Sequence, residues 1–194
     1  MGRIEYELVS TNGLITTEAA EKAGIARSRL SEAAAAGELE RVARGIYCLP
    51  DTWEDEYAIA NLRFPKGTLS HGTALFLHDL SDRTPERLTM TFSRTYNATA
   101  ARKEGIEVRT CAPNLLCLGL GLVKTPSGNT VRCYNVERTL CDLVRGKAAI
   151  DAQVVNPAMR AYIESKSKDL NKLLSYAKTL GVEQKIRNYV EVLL

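Results

Sequence analysis

Two histidines, His71 and His78, lie seven residues apart with Asp79 and Asp82 beside the second. That spacing is close to two helical turns, so a hydrolytic or metal-assisted site can be drawn around the four side chains. The drawing lacks its essential parts. No HExxH-like arrangement and no obvious nucleophile accompany the pair. Histidines in such a setting more often cap helices or satisfy buried hydrogen bonds, and Ser70 suits an N-cap. The five cysteines, Cys48, Cys111, Cys117, Cys133 and Cys141, are an odd number with no Cys-x-x-Cys pair. A structural zinc is therefore disfavoured, and cysteines in apolar runs such as Leu115 to Leu118 are expected to act as small hydrophobes in a reducing compartment. Gly119-Leu120-Gly121 lacks the third glycine and the following helix of a phosphate loop. The expectation is no catalytic residue, no metal and no cofactor, hence no enzyme.

Arginines near the N-terminus have a more definite use. Arg27 and Arg29 stand at the start of a predicted helix, where exposed N–H groups and the dipole already attract anions. Arg41 and Arg44 flank the turn of a predicted hairpin. With Ser28 and Ser31 they make a six-residue candidate DNA-contact set: Arg27, Ser28, Arg29, Ser31, Arg41 and Arg44. Glu32, Glu38 and Glu40 offset much of the local positive charge. Glu32 could accept from a cytosine amino group, pair with Arg29, or simply be solvated.

The elements that must position this set follow from local pattern. Thr16 or Thr17 caps a short helix with Glu18 in its first turn. Ala20, Gly24 and Ile25 then supply a small residue, a turn glycine and an apolar anchor, which is helix-turn-helix spacing. A second helix from about Arg27 to Ala36 carries Leu30, Ala33 and Ala34 on one face, and Gly37 ends it. Leu39, Val42 and the Ile46 to Leu49 run flank a turn at Arg44-Gly45 and predict a β-hairpin wing. Helix, turn, helix and basic hairpin over residues 4–50 are the parts of a winged helix-turn-helix. The same parts would also serve a protein-docking or dimerisation module with solvated arginines.

The chain has 194 residues, 45% hydrophobic and 25% charged, so a small domain and a larger one can each own a core. A net charge of +3 leaves nucleic-acid contact to local clustering rather than to a global field. Met1 to Ser10 carries acidic residues and no apolar run, and no stretch approaches a membrane span, so a cytoplasmic location without membrane contact is expected.

Gly13 to Leu49, especially Gly24-Ile25, Gly37-Glu38-Leu39 and Arg41-Val42-Ala43-Arg44-Gly45-Ile46-Tyr47, resembles the N-terminal domain of AbiEi-family antitoxins of type IV toxin-antitoxin systems. The likeness continues at Ser70-His71-Gly72-Thr73-Ala74-Leu75, at His78-Asp79-Leu80 and at Val136-Glu137-Arg138-Thr139-Leu140-Cys141-Asp142-Leu143. The resemblance implies a transcriptional autorepressor that binds double-stranded promoter DNA at inverted repeats. It also implies a C-terminal domain that counters a nucleotidyltransferase-type toxin, direct contact not being required. The alternative is a nucleic-acid-processing enzyme or nuclease delivered by its winged domain.

The expected fold class is α+β. A winged domain, residues 1–52, precedes a mixed α/β domain, residues 53–194, with a small, largely antiparallel sheet and C-terminal helices. Helices are predicted from Trp53 to Phe64 and Gly72 to Leu80, and strands at Arg87 to Phe92, Gly105 to Cys111, Leu115 to Lys124 and Thr130 to Tyr134. Further helices follow from Val136 to Arg145, Pro157 to Ser165, Asp169 to Leu180 and Val182 to Val192, with Pro157 placed at a first helical position. Basic residues of these last helices, Lys166, Lys168, Lys172, Lys178, Lys185 and Arg187, suit a solvated face, with contact to nucleic acid or an acidic partner as the alternative. The reading allows a monomer with cooperative DNA binding.

Overall fold

A computed structural model describes residue 6, residues 10–145 and residues 152–193. Most of Met1 to Ser10 therefore lies outside the described residues. The chain divides into two compact units, Met1–Pro65 with Lys124–Thr130, and Lys66–Val123 with Val131–Leu194. The fold class is α+β, as the sequence predicts.

The first unit opens with a strand, β1 (Leu14–Thr16), followed by helices α1 (Thr17–Lys22) and α2 (Arg27–Ala35). Strands β2 (Glu40–Ala43) and β3 (Ile46–Cys48) form the expected hairpin, and helix α3 (Glu56–Arg63) follows. The sheet order is β1-β3-β2, with β3 antiparallel to both neighbours. β1 is too short and too close to the α1 cap to show a period of its own, and pattern reading missed it. Tyr6, Ile15, Ala20, Leu30, Ala33, Leu39, Tyr47 and Leu49 make the core. Leu30 is fully buried, and burying such a side chain contributes about 1.5–3 kcal/mol. One buried polar network belongs to this unit. Asp55 caps α3 by accepting from the Ala58 N–H at 3.0 Å, while its other oxygen accepts from the Thr125 hydroxyl and from Asn129 Nδ2 at 2.8 Å. Residues 124–130 are thereby fastened to the start of α3.

The second unit holds β4 (Thr68–Leu69), α4 (His71–Leu77), β5 (Thr89–Ser93), α5 (Thr99–Lys103), β6 (Glu107–Cys111), β7 (Leu120–Lys124, its last residue in the first unit) and β8 (Thr130–Tyr134, its first residue in the first unit). Helices α6 (Val136–Val144), α7 (Ala152–Glu164), α8 (Leu170–Leu180) and α9 (Glu183–Leu193) complete it. The five-stranded sheet runs β6-β5-β4-β8-β7. It is mixed: β4 is antiparallel to β5 but parallel to β8, and β5 is parallel to β6 through the α5 crossover. A core of Leu75, Leu140, Leu143, Met159, Leu173, Ala177 and Ile186 joins α4 to the C-terminal helices. Leu170, Leu173, Leu174 and Ala177 form the apolar stripe expected of α8, and Asp169 caps that helix through the Lys172 N–H at 2.9 Å.

Two expectations here are corrected. The apolar run from Leu115 is not one strand. A 3₁₀ turn at Pro113–Leu115 and a loop precede β7, because the Leu115 and Leu118 carbonyls turn inward to accept from Arg138 Nη1 at 2.7 and 2.9 Å. Gly119 closes that loop at φ +74°, where a Cβ would meet Arg138 Cβ at 2.5 Å. Pro157 lies inside α7 rather than at its start. The apolar positions Val155, Ala158, Met159 and Tyr162 carry one buried face through the proline, so packing overrides the loss of one N–H donor. Among the cysteines, Cys48, Cys111, Cys133 and Cys141 are buried and Cys117 is exposed, so the apolar run around Cys117 does not bury it.

Candidate nucleic-acid interface

α1 begins where the Thr16 hydroxyl accepts from the Ala19 N–H at 3.0 Å, and the turn after it is closed by the backbone. Ile25 N–H reaches the Ala20 carbonyl at 2.8 Å and Gly24 N–H reaches Glu21 at 3.0 Å. Gly24 takes φ +81°, which a side chain would resist at this helix exit. The angle between α1 and α2 is thus set by main-chain bonds plus the burial of Ala20 and Leu30. On the other side, Thr17 N–H donates to the Gly45 carbonyl at 3.0 Å and ties the hairpin turn to the first residue of α1.

α2 buries Leu30 and Ala33 and leaves Arg27, Ser28, Arg29 and Ser31 exposed, as Arg41 and Arg44 are on the hairpin. All six candidate residues therefore reach solvent from one helix and one hairpin of a single unit. They are not equivalent. Arg27 and Arg29 are two residues apart, about 200° around the helix axis, so they flank the outermost stripe of Ser28, Glu32 and Ala35 rather than sharing it. Arg29 lines a shallow hollow with Tyr6, Glu32, Ala33, Ala36 and Glu38. The Ser31 hydroxyl lies 3.4 Å from the Arg27 carbonyl and 3.5 Å from the Tyr47 hydroxyl, so it bridges helix and hairpin as well as facing outward. Arg41 sits opposite Tyr47 in the β2–β3 register.

Arg27 is already engaged. Its Nε donates to Glu21 Oε1 and its Nη2 to Glu21 Oε2 at 3.2 Å, and the hydrogen bond to Glu21 holds its pKa above the ordinary value. Among the described residues Arg29, Arg41 and Arg44 have no ion pair. Sequence reasoning missed Glu21 because the pair spans six residues across a turn, and neither helical nor strand spacing brings such positions together. α2 also starts at Ala26 with no side-chain cap, unlike α1, α3, α6 and α8, which are capped by Thr16, Asp55, Asn135 and Asp169. The Arg29 N–H is bonded to the Ala26 carbonyl at 3.0 Å, while no side-chain cap covers the start of the helix ahead of it.

The two histidines are held by separate partners. His71, at φ +51°, points Nδ1 at the Ser70 hydroxyl at 3.1 Å, while His78 Nε2 meets the Tyr134 carbonyl at 2.8 Å. Each ring is occupied locally. Burial, reinforced by Arg109, Arg138 and Arg145, pushes the His71 pKa down to about 4, so the ring is neutral near pH 7. Ser70 precedes α4 but does not cap it with its side chain. Its oxygen accepts instead from the Thr91 hydroxyl at 2.8 Å.

Residues 3–50 match the family model described as transcriptional regulator, AbiEi antitoxin. The likeness to AbiEi antitoxin regulators is confined to this N-terminal segment. The match ends two residues past β3, so the AbiEi match spans the helix-turn-helix and its wing and stops before α3. Across the whole chain the fold is similar to that of the RV2827C protein from Mycobacterium tuberculosis. The crystal structure of that protein superposes with a TM-score of 0.51 at 13% identity, covering 98% of this chain and 79% of the other. No curated protein matches the chain. Among the described residues no helix is long and apolar enough to cross a membrane.

Proposed function

We propose that this protein is a cytoplasmic, DNA-binding autorepressor and the antitoxin of a type IV toxin-antitoxin system. Residues 1–52 hold promoter DNA at inverted repeats, and residues 53–194 counter a nucleotidyltransferase-type toxin without requiring direct contact. The observation that carries the DNA half is the pairing of an uncapped, solvent-facing α2 with a wing whose Arg41 and Arg44 have no ion pair among the described residues, all inside the segment matched to AbiEi regulators. In that arrangement α2 enters the major groove, and the wing arginines hold phosphates that fix its register. Ser28, Ser31 and Glu32 are the side chains of α2 most directly placed for base edges. They are short, so base discrimination per monomer is modest and cooperative occupation of two repeats supplies the remainder.

The reading is tested by a gel shift on the DNA upstream of the protein's own coding region, with and without magnesium. A repressor retards a repeat-containing fragment and leaves it intact, more weakly as salt rises. Metal-dependent cleavage would mean a nuclease instead. Point variants separate the two roles better than truncation, because a cut after residue 52 detaches Asp55 and α3 from the unit that they belong to. Full-length Arg41→Ala/Arg44→Ala should lose repression and keep toxin antagonism. Loss of both together would contradict the division of labour.

A further inference from the structure

The six candidate contacts contain one internal conflict. Among the described residues Arg27 alone of the four arginines has a carboxylate across two of its nitrogens, Nε and Nη2, which is the edge that a phosphate takes in a side-on bidentate contact. Glu21 is in the last turn of α1 and Arg27 is the first residue of α2. The main-chain bonds that close the intervening turn hold the two side chains in reach of each other without any ligand. Neighbouring Lys22 does not relieve the pair, since it is bonded to Glu18 at 2.7 Å. Both partners are open to solvent, at 70% and 44% side-chain exposure, so an incoming phosphate can reach the guanidinium and the carboxylate can leave it. Surface ion pairs of this type contribute little to stability, and exchanging one partner for another is inexpensive for the fold.

We propose that Glu21 is a built-in competitor for the DNA backbone: it occupies the phosphate-binding edge of Arg27 and so holds down the affinity and salt sensitivity of the winged module. The proposal rests on the DNA-binding reading above. Binding then requires Arg27 to exchange Glu21 for a phosphate, or to take the phosphate end-on through Nη1 and the second N–H of Nη2 while Glu21 stays. The first route gives up the ion pair, and in the second the carboxylate offsets the charge that the phosphate meets.

The test is a double-mutant cycle on the full-length protein, with fluorescence anisotropy of a labelled duplex from its own upstream region, titrated from about 50 to 200 mM salt. Glu21→Gln should tighten binding about 3–10-fold at the low-salt end and steepen the log K against log salt slope by about 0.9, the contribution of one phosphate contact. In an Arg27→Ala background the same substitution should change affinity by less than about twofold. Equal gains in both backgrounds would mean that only the general field of the removed charge matters, and the proposal would fall. A loss on Glu21→Gln would also overturn it, since Glu21 would then be orienting Arg27. Glu38→Gln is the charge-matched control, expected to act the same way whether or not Arg27 is present. Circular-dichroism melts confirm that the variants are folded. If neither the wild type nor Glu21→Gln binds DNA with salt dependence, the DNA-binding reading itself fails. If the wild type binds and the cycle shows no coupling, only the role of Glu21 fails.

Discussion

Arg27 in the first unit and Arg138 in the second make the same primary bond, Nε to a carboxylate oxygen, in opposite surroundings. Arg27 bonds Glu21 in solvent, whereas Arg138 has no exposure and bonds Asp142 at 2.8 Å within α6. Burial works most strongly against the charge of Arg138, but Asp142, Tyr134 and Cys111 together outweigh it and the guanidinium stays above its ordinary pKa. The Tyr134 ring lies beneath it, 4.3 Å from ring centroid to guanidinium carbon, and two loop carbonyls accept from Nη1. A buried guanidinium organises backbone and cannot be given up, whereas an exposed one can exchange partners. Glu137 is absorbed into packing as well, through Lys172 at 3.0 Å and the Tyr162 hydroxyl at 3.4 Å. The polar residues of Glu137-Arg138-Thr139-Leu140-Cys141-Asp142 thus hold the second unit together, while Arg27, Ser28, Arg29, Ser31, Arg41 and Arg44 on α2 and the wing are exposed.

The largest expected effect breaks this contrast at its buried end. Arg138→Met should cost about 3–5 kcal/mol, because Asp142 and the Leu115 and Leu118 carbonyls lose their partner without regaining water. Urea unfolding followed by far-UV circular dichroism checks it. Tryptophan emission is a poor reporter, since the single Trp53 is 89% exposed. A cost within that of an average surface substitution would mean that the buried pair does not organise the loop. The same logic applies within the first unit to Asp55, whose replacement by Ala removes a helix cap and two buried hydrogen bonds. A loss of about 2–4 kcal/mol is expected, read by the same method.

A smaller effect comes from His71 beside the Arg138 cluster. Its folded pKa of about 4 lies below its ordinary value of about 6.5, so the unfolded state binds the proton first. Stability from this group is complete above pH 6.5 and declines as pH falls toward 4, by about 3 kcal/mol. His71→Asn should flatten that part of the stability profile relative to wild type. An unchanged profile between pH 6.5 and 4 would mean that the ring is not held neutral.

How far the sequence revealed these arrangements depended on whether the cause was local. The α1 cap, the Gly24 turn, the buried face of α2 and the Arg44-Gly45 hairpin turn are all decided within a few residues, and pattern reading placed them. It missed β1 and β4, three and two residues long, which are strands only through their pairing with neighbours distant in the sequence, and α5, whose five residues are too few to show a period. It misread Leu115 to Gly119 because nothing nearby signals that Arg138, about twenty residues on, draws two carbonyls inward. Within the candidate site the exposed arginines were legible from their position at a helix start and a hairpin turn. Glu21 was not, since only the folded turn brings it to Arg27.

The proposed function turns on the exposed arginines of α2 and the wing engaging DNA phosphates. The most direct measurement is the salt dependence of binding to the protein's own upstream DNA, wild type against Arg41→Ala/Arg44→Ala. The account predicts a log K against log salt slope shallower by about 2 in the double variant, with unfolding free energy unchanged within about 0.5 kcal/mol. An identical slope in the two proteins would contradict it.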